Sequence, residues 1–274
     1  MAHSENAASS LRTPLAVDDH DSGWMPFMAK PPAETPCLVY AVADIHGHDY
    51  LLEEMLDKIE QDMQETTETK PLVIFLGDYI DRGPDAKRVV DLLIRASRVR
   101  NMACVFLLGN HEQWLIDFMH SSVILPVWGC QGGLETLLSY GVPQKMILSG
   151  ILDAEVADEV RHVFLDLLPE SHLSFFQSLV NHFELGDYFF VHAGIDPNRP
   201  LHQQRKEDLI WIRHPFLSSK QDFGKVIVHG HTPSEHVESL PNRINLDSGI
   251  YIRHVLNCAV LEGSCRYLIQ ASGG

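Results

Sequence analysis

Short apolar runs and stretches of helical periodicity alternate along the chain from residue 37 onward. Three apolar runs that end in polar residues predict buried strands: CLVYAVAD, PLVIFLG and ACVFLLG. Helical spacing follows each run, in DYLLEEMLDKIEQDM, in PDAKRVVDLLIRAS and at about Glu112–Met119. Because strand, polar loop and helix recur in this order, the pattern indicates an α/β layered architecture.

The flanking segments have a different character. Residues 1–36 are rich in Ser, Ala, Asp and Pro without periodicity, which predicts a mobile N-terminal arm before a folded domain at 37–274. Residues 120–180 are predicted to be a mostly helical insertion, with a glycine-rich turn at Gly129–Gly133. Five further strands are expected after it, at YFFVHAG, KVIVHG, RINLDSG, HVLNCAVLEG and CRYLIQ.

Composition and charge narrow the possible partners. Lys and Arg total 21 against 37 Asp and Glu, and the formal charge of −16 argues against nucleic-acid binding. No apolar stretch approaches the roughly 18 residues of a membrane helix, and the first ten residues do not resemble a secretory signal. The five cysteines form no CxxC pair and are expected to be reduced, buried thiols, so the cytoplasm is the expected compartment.

Polar clusters follow the predicted strands. DIHG follows the first strand, GDYIDRG the second and GNHE the third, while HAG and HGH follow two of the later strands. Asp, Asn and His dominate these clusters and no cysteine takes part. Carboxylate, amide and imidazole ligands suit Mn²⁺, Fe or Zn²⁺. Strand ends gathered at one sheet edge would bring these side chains together.

The ordered series DIHG, GDYIDRG, GNHE, HAG and HGHTP resembles the calcineurin-like metallophosphoesterases. Within them it is most similar to the phosphoprotein phosphatases of bacterial and phage type, and the motifs extend from Asp44 to His231. The resemblance implies a sandwich of two mixed sheets flanked by helices. It also implies a site for two divalent metal ions, most plausibly Mn²⁺ with Fe or Zn²⁺ as alternatives, at the C-terminal ends of the strands.

The resemblance also implies a role for each motif residue. Asp44 and His46 would bind the first metal, and Asp78 would bridge both metals. The second metal would be completed by Asn110, His192 and His231. His111 would be the general acid, oriented by Asp81. The substrate phosphate would be bound by Arg82, Arg213 and Asn110. Apart from the resemblance, Glu112 is interpreted as structural support that pairs with a nearby charge.

The implied reaction is hydrolysis of a phosphoester by a metal-bound hydroxide. The leading hypothesis is a phosphatase acting on phosphoserine and phosphothreonine of proteins, or on small phosphomonoesters. Protein phosphatases usually have a basic residue where this chain has Leu108, which leaves the protein substrate open. The alternatives are a symmetrical dinucleoside polyphosphate hydrolase and a non-enzymatic scaffold, although a scaffold should lack a ligand or the acid.

Two sequence features bear on these alternatives. A dinucleotide would need aromatic residues to stack its bases, and the insertion offers Trp128, Tyr140, Phe164, Phe175 and Phe176, which suit packed helices at least as well. His229 is the first residue of the last motif, HGHTP. Its side chain has two open interpretations, a contact with metal or phosphate and a packing role.

Overall fold

Two mixed β-sheets form the centre of the fold, and helices flank them. The computed structural model describes residues 10–18, 33–66, 71–99 and 102–273. The strands are β1 (Thr13–Pro14), β2 (Val39–Val42), β3 (Leu72–Phe75), β4 (Ala103–Phe106), β5 (His182–Leu185), β6 (Tyr188–Val191), β7 (Val226–His229), β8 (Glu238–Ser239), β9 (Arg243–Asn245), β10 (Val255–Glu262) and β11 (Cys265–Ser272).

The helices connect and cover these strands. They are α1 (Asp49–Glu65), α2 (Ala86–Val99), α3 (Asn110–His120), α4 (Leu125–Trp128), α5 (Leu134–Ser139), α6 (Gln144–Leu152), α7 (Ala154–Leu167), α8 (Glu170–Gln177), α9 (Lys206–Trp211) and α10 (Ile250–Arg253). The α/β class and the two flanked mixed sheets predicted from the sequence are confirmed. Between residues 122 and 177 the chain is helical apart from short turns.

Each sheet contains three neighbouring parallel strands. The first sheet has the order β1-β11-β10-β2-β3-β4, and the second has the order β5-β6-β7-β9-β8. Strands β2, β3 and β4 are parallel, with Tyr40 opposite Val73 and Val73 opposite Cys104. Strands β6, β7 and β9 are parallel as well. The carboxyl ends of parallel neighbours lie at the same sheet edge, so each sheet presents three loops there.

The core explains why the central strands are continuously apolar. All four residues of β2 and all four of β6 are buried, as expected for strands covered on both faces. Leu51, Leu52, Met55, Leu56 and Ile59 of α1 are buried in the same apolar cluster. A second, smaller cluster lies between the second sheet and α9, and it includes Leu108, Phe189, Leu209 and Phe216.

Part of the predicted N-terminal arm packs against the domain. β1 pairs antiparallel with β11 through Thr13 and Leu268. Arg12 lies 2.8 Å from the carboxylate of Asp62, whose side chain is fully buried, and 2.5 Å from Glu262. A mobile arm therefore does not describe residues 11–14. Its remaining parts at 1–9 and 19–32 lie outside the described residues.

The Arg12 contact leads to a stability prediction. Asp62 also accepts the hydroxyl hydrogen of Tyr40. Because its side chain is fully buried, water cannot replace a missing guanidinium beside the carboxylate. Arg12→Ala is expected to lower the free energy of unfolding by about 3 kcal/mol, because a buried charge would lose its partner. Urea unfolding followed by circular dichroism measures this change.

The control for Arg12 is Arg161→Ala, which removes a partly exposed pair with Asp158 and should cost at most about 1 kcal/mol. Adding Asp62→Asn to Arg12→Ala should recover part of the loss, since no unpaired charge remains. A loss below about 1 kcal/mol for Arg12→Ala would show that the N-terminal contact adds little.

The five cysteines are free thiols, as expected, but they are not uniformly buried. Cys258 is buried, Cys37 and Cys104 are half-buried, and Cys130 and Cys265 are exposed. Cys265 is the first residue of β11 and follows a hairpin turn, and Cys130 lies in the glycine-rich turn. Both positions face solvent. In the described ranges, no helix is long and apolar enough to cross a membrane.

Candidate active site

Six side chains converge from the ends of the six parallel strands. Asp44, Asp78 and Asn110 follow β2, β3 and β4 of the first sheet, and all three are buried. His192, His231 and Asp247 follow β6, β7 and β9 of the second sheet and are buried too. The two edges are joined directly, since the Nδ1–H of His192 donates to the carbonyl of Leu76 at 2.9 Å.

The backbone at this edge adopts an uncommon conformation. Positive φ angles occur at His46, Asp78, Asp81, Arg82 and His231. Non-glycine residues rarely adopt this left-handed region, and each instance costs on the order of 1 kcal/mol. Their concentration at the strand ends shows that the surrounding structure fixes these side chains at the expense of local backbone stability.

Asp78 lies between two groups of imidazoles. Its Oδ2 is 3.5 Å from Nε2 of His46 and 3.9 Å from Nε2 of His111. Its Oδ1 is 3.4 Å from Nε2 of His192 and accepts the backbone N–H of His111 at 3.2 Å. One carboxylate thus faces two separate sets of potential ligands, His46 with His111 and His192 with His231.

Asn110 holds the second set together. Its Oδ1 lies 2.9 Å from Nε2 of His192 and 2.9 Å from Nδ1 of His231. Asn110 is the first residue of α3, which begins two residues earlier than the sequence pattern predicts. The side chains of Asn110 and His111 therefore both reach the site from the first turn of α3.

Asp44 approaches the second sheet through a glycine. Its Oδ2 accepts the backbone N–H of His231 at 3.0 Å. A Cβ at Gly230 would collide with Oδ1 of Asp44, so this close approach requires glycine. Oδ1 of Asp44 is buried without a hydrogen-bond partner among the described residues. A buried carboxylate oxygen of this kind needs a cation or a donor.

His111 is held firmly by Asp81, as the resemblance implies. Its Nδ1 lies 2.5 Å from Oδ2 of Asp81. Asp81 in turn accepts the indole N–H of Trp128 at 2.7 Å and the hydroxyl hydrogen of Thr136 at 2.6 Å. Burial alone would lower the pKa of His111, but the carboxylates of Asp78 and Asp81 outweigh it and raise that pKa.

Arg82 occupies the space beside the first imidazole pair. Its guanidinium nitrogens lie 3.0 Å from Nε2 of His46 and 3.2 Å from Nε2 of His111. The guanidinium carbon lies 4.4 Å from the ring centre of Tyr251, a cation–π contact. This half-buried fork is placed for an anion at the same position.

The helical insertion supports this part of the site. Gly132 has φ 114°, and a Cβ there would lie 2.6 Å from the backbone nitrogen of Arg82. That same nitrogen donates to the carbonyl of Gly132 at 3.3 Å. The glycine-rich turn therefore packs beneath Asp81 and Arg82.

Arg213 and His229 differ in their relation to the site. Arg213 is exposed, and its positive charge helps to lower the pKa of His231 and opposes the rise in the pKa of Asp247. His229 is fully buried and its ring lies 5.0 Å from that of Phe216. His229 belongs to neither group of candidate ligands, and its buried Nε2 has no hydrogen-bond partner among the described residues.

Burial and neighbouring negative charges shift the pKa values of the carboxylates and imidazoles at the strand ends. Burial, and then the negative charges of Asp247 and Asp78, raise the pKa of Asp44. Burial and the charge of Asp78 also raise the pKa of Asp247 to about 6. Burial lowers the pKa values of His46 and His192, and lowers that of His231 to about 3, so these imidazoles are neutral.

Metal ions fit this donor set. His46 donates through Nδ1 to the carbonyl of Ile80 at 3.0 Å, and His192 does the same to Leu76. In the neutral ring of His192 the Nε2 lone pair must then face the oxygens of Asp78 and Asn110, acceptor against acceptor. A cation between them removes this conflict, and the outer carbonyls fix the tautomer of each ligand.

Glu112 fixes the loop that carries Asp78. Its Oε2 accepts the backbone N–H of Asp78 at 2.8 Å and of Gly109 at 3.1 Å. Its Oε1 accepts the backbone N–H of Tyr79 at 2.8 Å and of Ile80 at 3.3 Å. Glu112 therefore supports the loop through backbone amides and not through the nearby charge that the sequence interpretation expected. Burial and the charge of Asp78 raise the pKa of Glu112 to about 8.

Glu112→Gln is expected to lower the free energy of unfolding by about 2 kcal/mol and to weaken metal binding. Either orientation of the glutamine NH₂ would face two backbone N–H donors, which leaves buried donors unsatisfied. Chemical unfolding and metal analysis measure the two effects. Glu155→Gln, at an exposed position of α7, is the control; equal stability of the two variants would contradict the role of Glu112.

Three site features were missed in the sequence. Asp247 follows β9 in RINLDSG, and its strand–Asp–Gly pattern matches the clusters that were recognised. Tyr251 lies against Arg82, and no sequence signal identifies it. Trp114 and Trp211 lie beside His111 and His231, with ring centres 5.0 and 6.1 Å away. Trp114 follows His111 by three residues on α3, a spacing that predicts the contact.

Comparison with known proteins agrees with this geometry. The sequence profile of the calcineurin-like phosphoesterases matches residues 38–255, which contain every predicted site residue. The chain belongs to the calcineurin-like phosphoesterase family. The family and its relatives indicate a hydrolase acting on phosphoesters, which confirms the predicted enzyme class. The fold of this family implies a two-metal centre, and the structure contains candidate ligand groups for it.

Individual relatives of this calcineurin-like phosphoesterase differ in activity. It is 24% identical to the asymmetrical bis(5'-nucleosyl)-tetraphosphatase PrpE of Oceanobacillus iheyensis over 76% of this chain and 82% of that protein. It is 35% identical to serine/threonine-protein phosphatase 1 of Salmonella typhimurium, over 35% of this chain and 38% of that protein.

A solved structure extends the comparison of the fold. The crystal structure of a candidate diadenosine tetraphosphatase superposes with a TM-score of 0.59 at 20% identity, covering 87% of this chain and 95% of that one. At this level of identity the likeness supports the shared fold alone.

Proposed function

We propose that this calcineurin-like phosphoesterase hydrolyses dinucleoside polyphosphates, with bis(5'-nucleosyl) tetraphosphates as the substrate class. The observation that carries the proposal is the likeness to tetraphosphatases over most of their length, whereas the protein phosphatase matches over 38% of its own. Leu108 supports it further. This side chain is 4% exposed in the apolar cluster with Phe189, where protein phosphatases usually present a basic residue.

In this proposal Asp44, His46 and Asp78 would hold one metal ion. Asn110, His192 and His231, together with Asp78, would hold a second one. Divalent cations bound there would supply positive charge against the phosphate and lower the pKa of a water molecule to about 7. The carboxylate, amide and imidazole donors suit Mn²⁺, Fe or Zn²⁺.

The remaining residues act on the substrate itself. Arg82, already fixed over Tyr251, binds non-bridging phosphate oxygens through its fork, and Arg213 adds charge at the opposite edge. His111 donates the proton on Nε2 to the oxygen of the leaving group. Asp81 holds the opposite nitrogen of the ring, which keeps Nε2 directed at the substrate.

The second candidate is a phosphoserine and phosphothreonine phosphatase, which the motifs GDYIDRG and GNHE favour. Side-by-side measurements of kcat/KM in Mn²⁺, for diadenosine tetraphosphate and for a phosphothreonine peptide, distinguish the two functions. We expect the dinucleotide to be preferred by more than about tenfold, or about 1.4 kcal/mol of transition-state binding.

Anion-exchange chromatography of the products completes this test. ADP alone indicates symmetrical cleavage, and AMP with ATP indicates asymmetrical cleavage; both support the proposed substrate class. A higher kcat/KM for the peptide would overturn the proposal in favour of the second candidate.

A further inference from the structure

A tryptophan lies exposed at the edge of the active site. Of the three tryptophans within the described ranges, Trp128 is fully buried and Trp114 is half-buried, while Trp211 exposes 39% of its surface. The aromatic residues of the insertion that were considered for base stacking, from Trp128 to Phe176, are all buried in the core. A base cannot stack on them.

Trp211 continues an aromatic edge that begins at the catalytic centre. The ring centre of Trp114 lies 5.0 Å from that of His111, and Trp211 lies 4.8 Å from Trp114 at an interplanar angle of 63°. The ring of Trp211 is also 6.1 Å from His231. An isolated exposed apolar side chain needs no functional explanation. Two indoles in contact with each other and with two site histidines form a surface that is continuous with the site.

The backbone holds this edge in place. Trp211 ends α9, whose Leu209 is buried in the second apolar cluster. The carbonyl of Leu209 accepts the backbone N–H of Ala193, the residue after His192, at 2.8 Å. Ile212 packs against the backbone of Gly194. The exposed position of Trp211 is therefore set by the same strand end that delivers His192.

Charge accompanies the aromatic surface. Arg213 is exposed two residues after Trp211, on the other side of the anchored Ile212. A ligand with a flat ring joined to a chain of phosphates matches an indole face beside a guanidinium and a metal centre.

We infer that Trp211, supported by Trp114, is a stacking surface for one nucleobase of the substrate. The base lies on the exposed face of the Trp211 indole, and the attached phosphates extend past Arg213 toward His231 and Asp78. This inference rests on the proposed function for its substrate class. It assigns specificity for a nucleotide to residues that take no part in metal binding or proton transfer.

Competitive inhibition tests the inference without requiring turnover of a dinucleotide. With β-glycerophosphate as a substrate that has no ring, the inhibition constants of AMP and ribose 5-phosphate differ only through the base. We expect AMP to bind at least about tenfold more tightly than ribose 5-phosphate, within the range that stacking of one base provides. Trp211→Ala should remove this difference, and Trp211→Phe should keep most of it.

Further variants separate stacking from folding. Trp211→Leu keeps apolar volume without a flat ring and should behave like Trp211→Ala. Leu152→Ala, at a side chain that is 90% exposed on α6, is the matched surface control and should keep the preference for AMP. Equal inhibition by AMP and ribose 5-phosphate in the unaltered protein, or a preference that survives Trp211→Leu, would overturn the stacking surface.

The inference and the proposed function fail in different ways. If diadenosine tetraphosphate is not hydrolysed but AMP is preferred through Trp211, the substrate class is wrong and the stacking surface stands. If the dinucleotide is hydrolysed with the same kcat/KM in Trp211→Leu, the proposed function stands and the stacking surface is wrong. If Trp211→Leu lowers kcat/KM only for phosphotyrosine peptides, the surface binds a tyrosine ring and not a nucleobase. That result would overturn the inference.

Discussion

Asp78→Asn is expected to lower the metal content and to remove nearly all phosphoesterase activity. The two oxygens of Asp78 face different ligand groups, with His46 at 3.5 Å from one and His192 at 3.4 Å from the other. A neutral amide offers one oxygen and no negative charge, so it is a poor bridge between two divalent cations. The backbone should not change, because asparagine tolerates the φ of 52° at this position.

Metal analysis by mass spectrometry and turnover of p-nitrophenyl phosphate measure the effect of Asp78→Asn. Asp153→Asn is the matched control, because Asp153 is an exposed cap of α7 and asparagine caps helices equally well. Two metal ions per chain together with near-normal turnover in Asp78→Asn would exclude a bridging role.

His111→Asn should keep both metal ions and lower kcat by roughly 10²–10⁴-fold for substrates with poor leaving groups. Nδ1 of His111 is fixed by Asp81, and Asp81 is fixed by Trp128 and Thr136, so Nε2 has one direction in which to donate. A leaving group that needs little protonation should show a smaller loss. The losses for phenyl phosphate and p-nitrophenyl phosphate provide this comparison, and equal losses would contradict the role as an acid.

The pH profile follows from the same contacts. A general acid must be protonated, so activity is lost as the pH rises through the pKa of His111. The carboxylates of Asp78 and Asp81 raise that pKa, which extends activity toward alkaline pH. In Asp81→Asn one of these charges is absent, and the falling limb of kcat for phenyl phosphate should move to lower pH. An unmoved limb would mean that another group limits the reaction.

Much of the site could be predicted because its residues occur in short motifs after apolar runs. Asp44, Asp78 and Asn110 each follow a strand whose pattern is clear, and parallel pairing then places the three ends together. Asp247 obeys the same rule on β9. It was missed although a strand was predicted at RINLDSG, because Asp247 belongs to none of the motifs that carry the family resemblance.

Other features depend on contacts between residues far apart in the sequence. Arg12 pairs with Asp62, fifty positions away, and a single arginine in a polar segment has no periodicity that predicts burial. The exposure of Trp211 likewise depends on α3, α9 and a strand end meeting at one place. Sequence patterns predict which residues are apolar, but they do not predict which aromatic ring remains accessible after packing.

The short strand β1 has a consequence for self-association. Among the described residues it is the outermost strand on that side of the first sheet, next to the eight-residue β11. Pro14 has no N–H to offer a further strand, and two residues provide little edge for pairing. Without β1, the backbone groups of β11 around Tyr267 and Leu268 would be free to pair with another strand. The N-terminal segment thus closes the middle of this sheet edge to a strand from another copy of the chain.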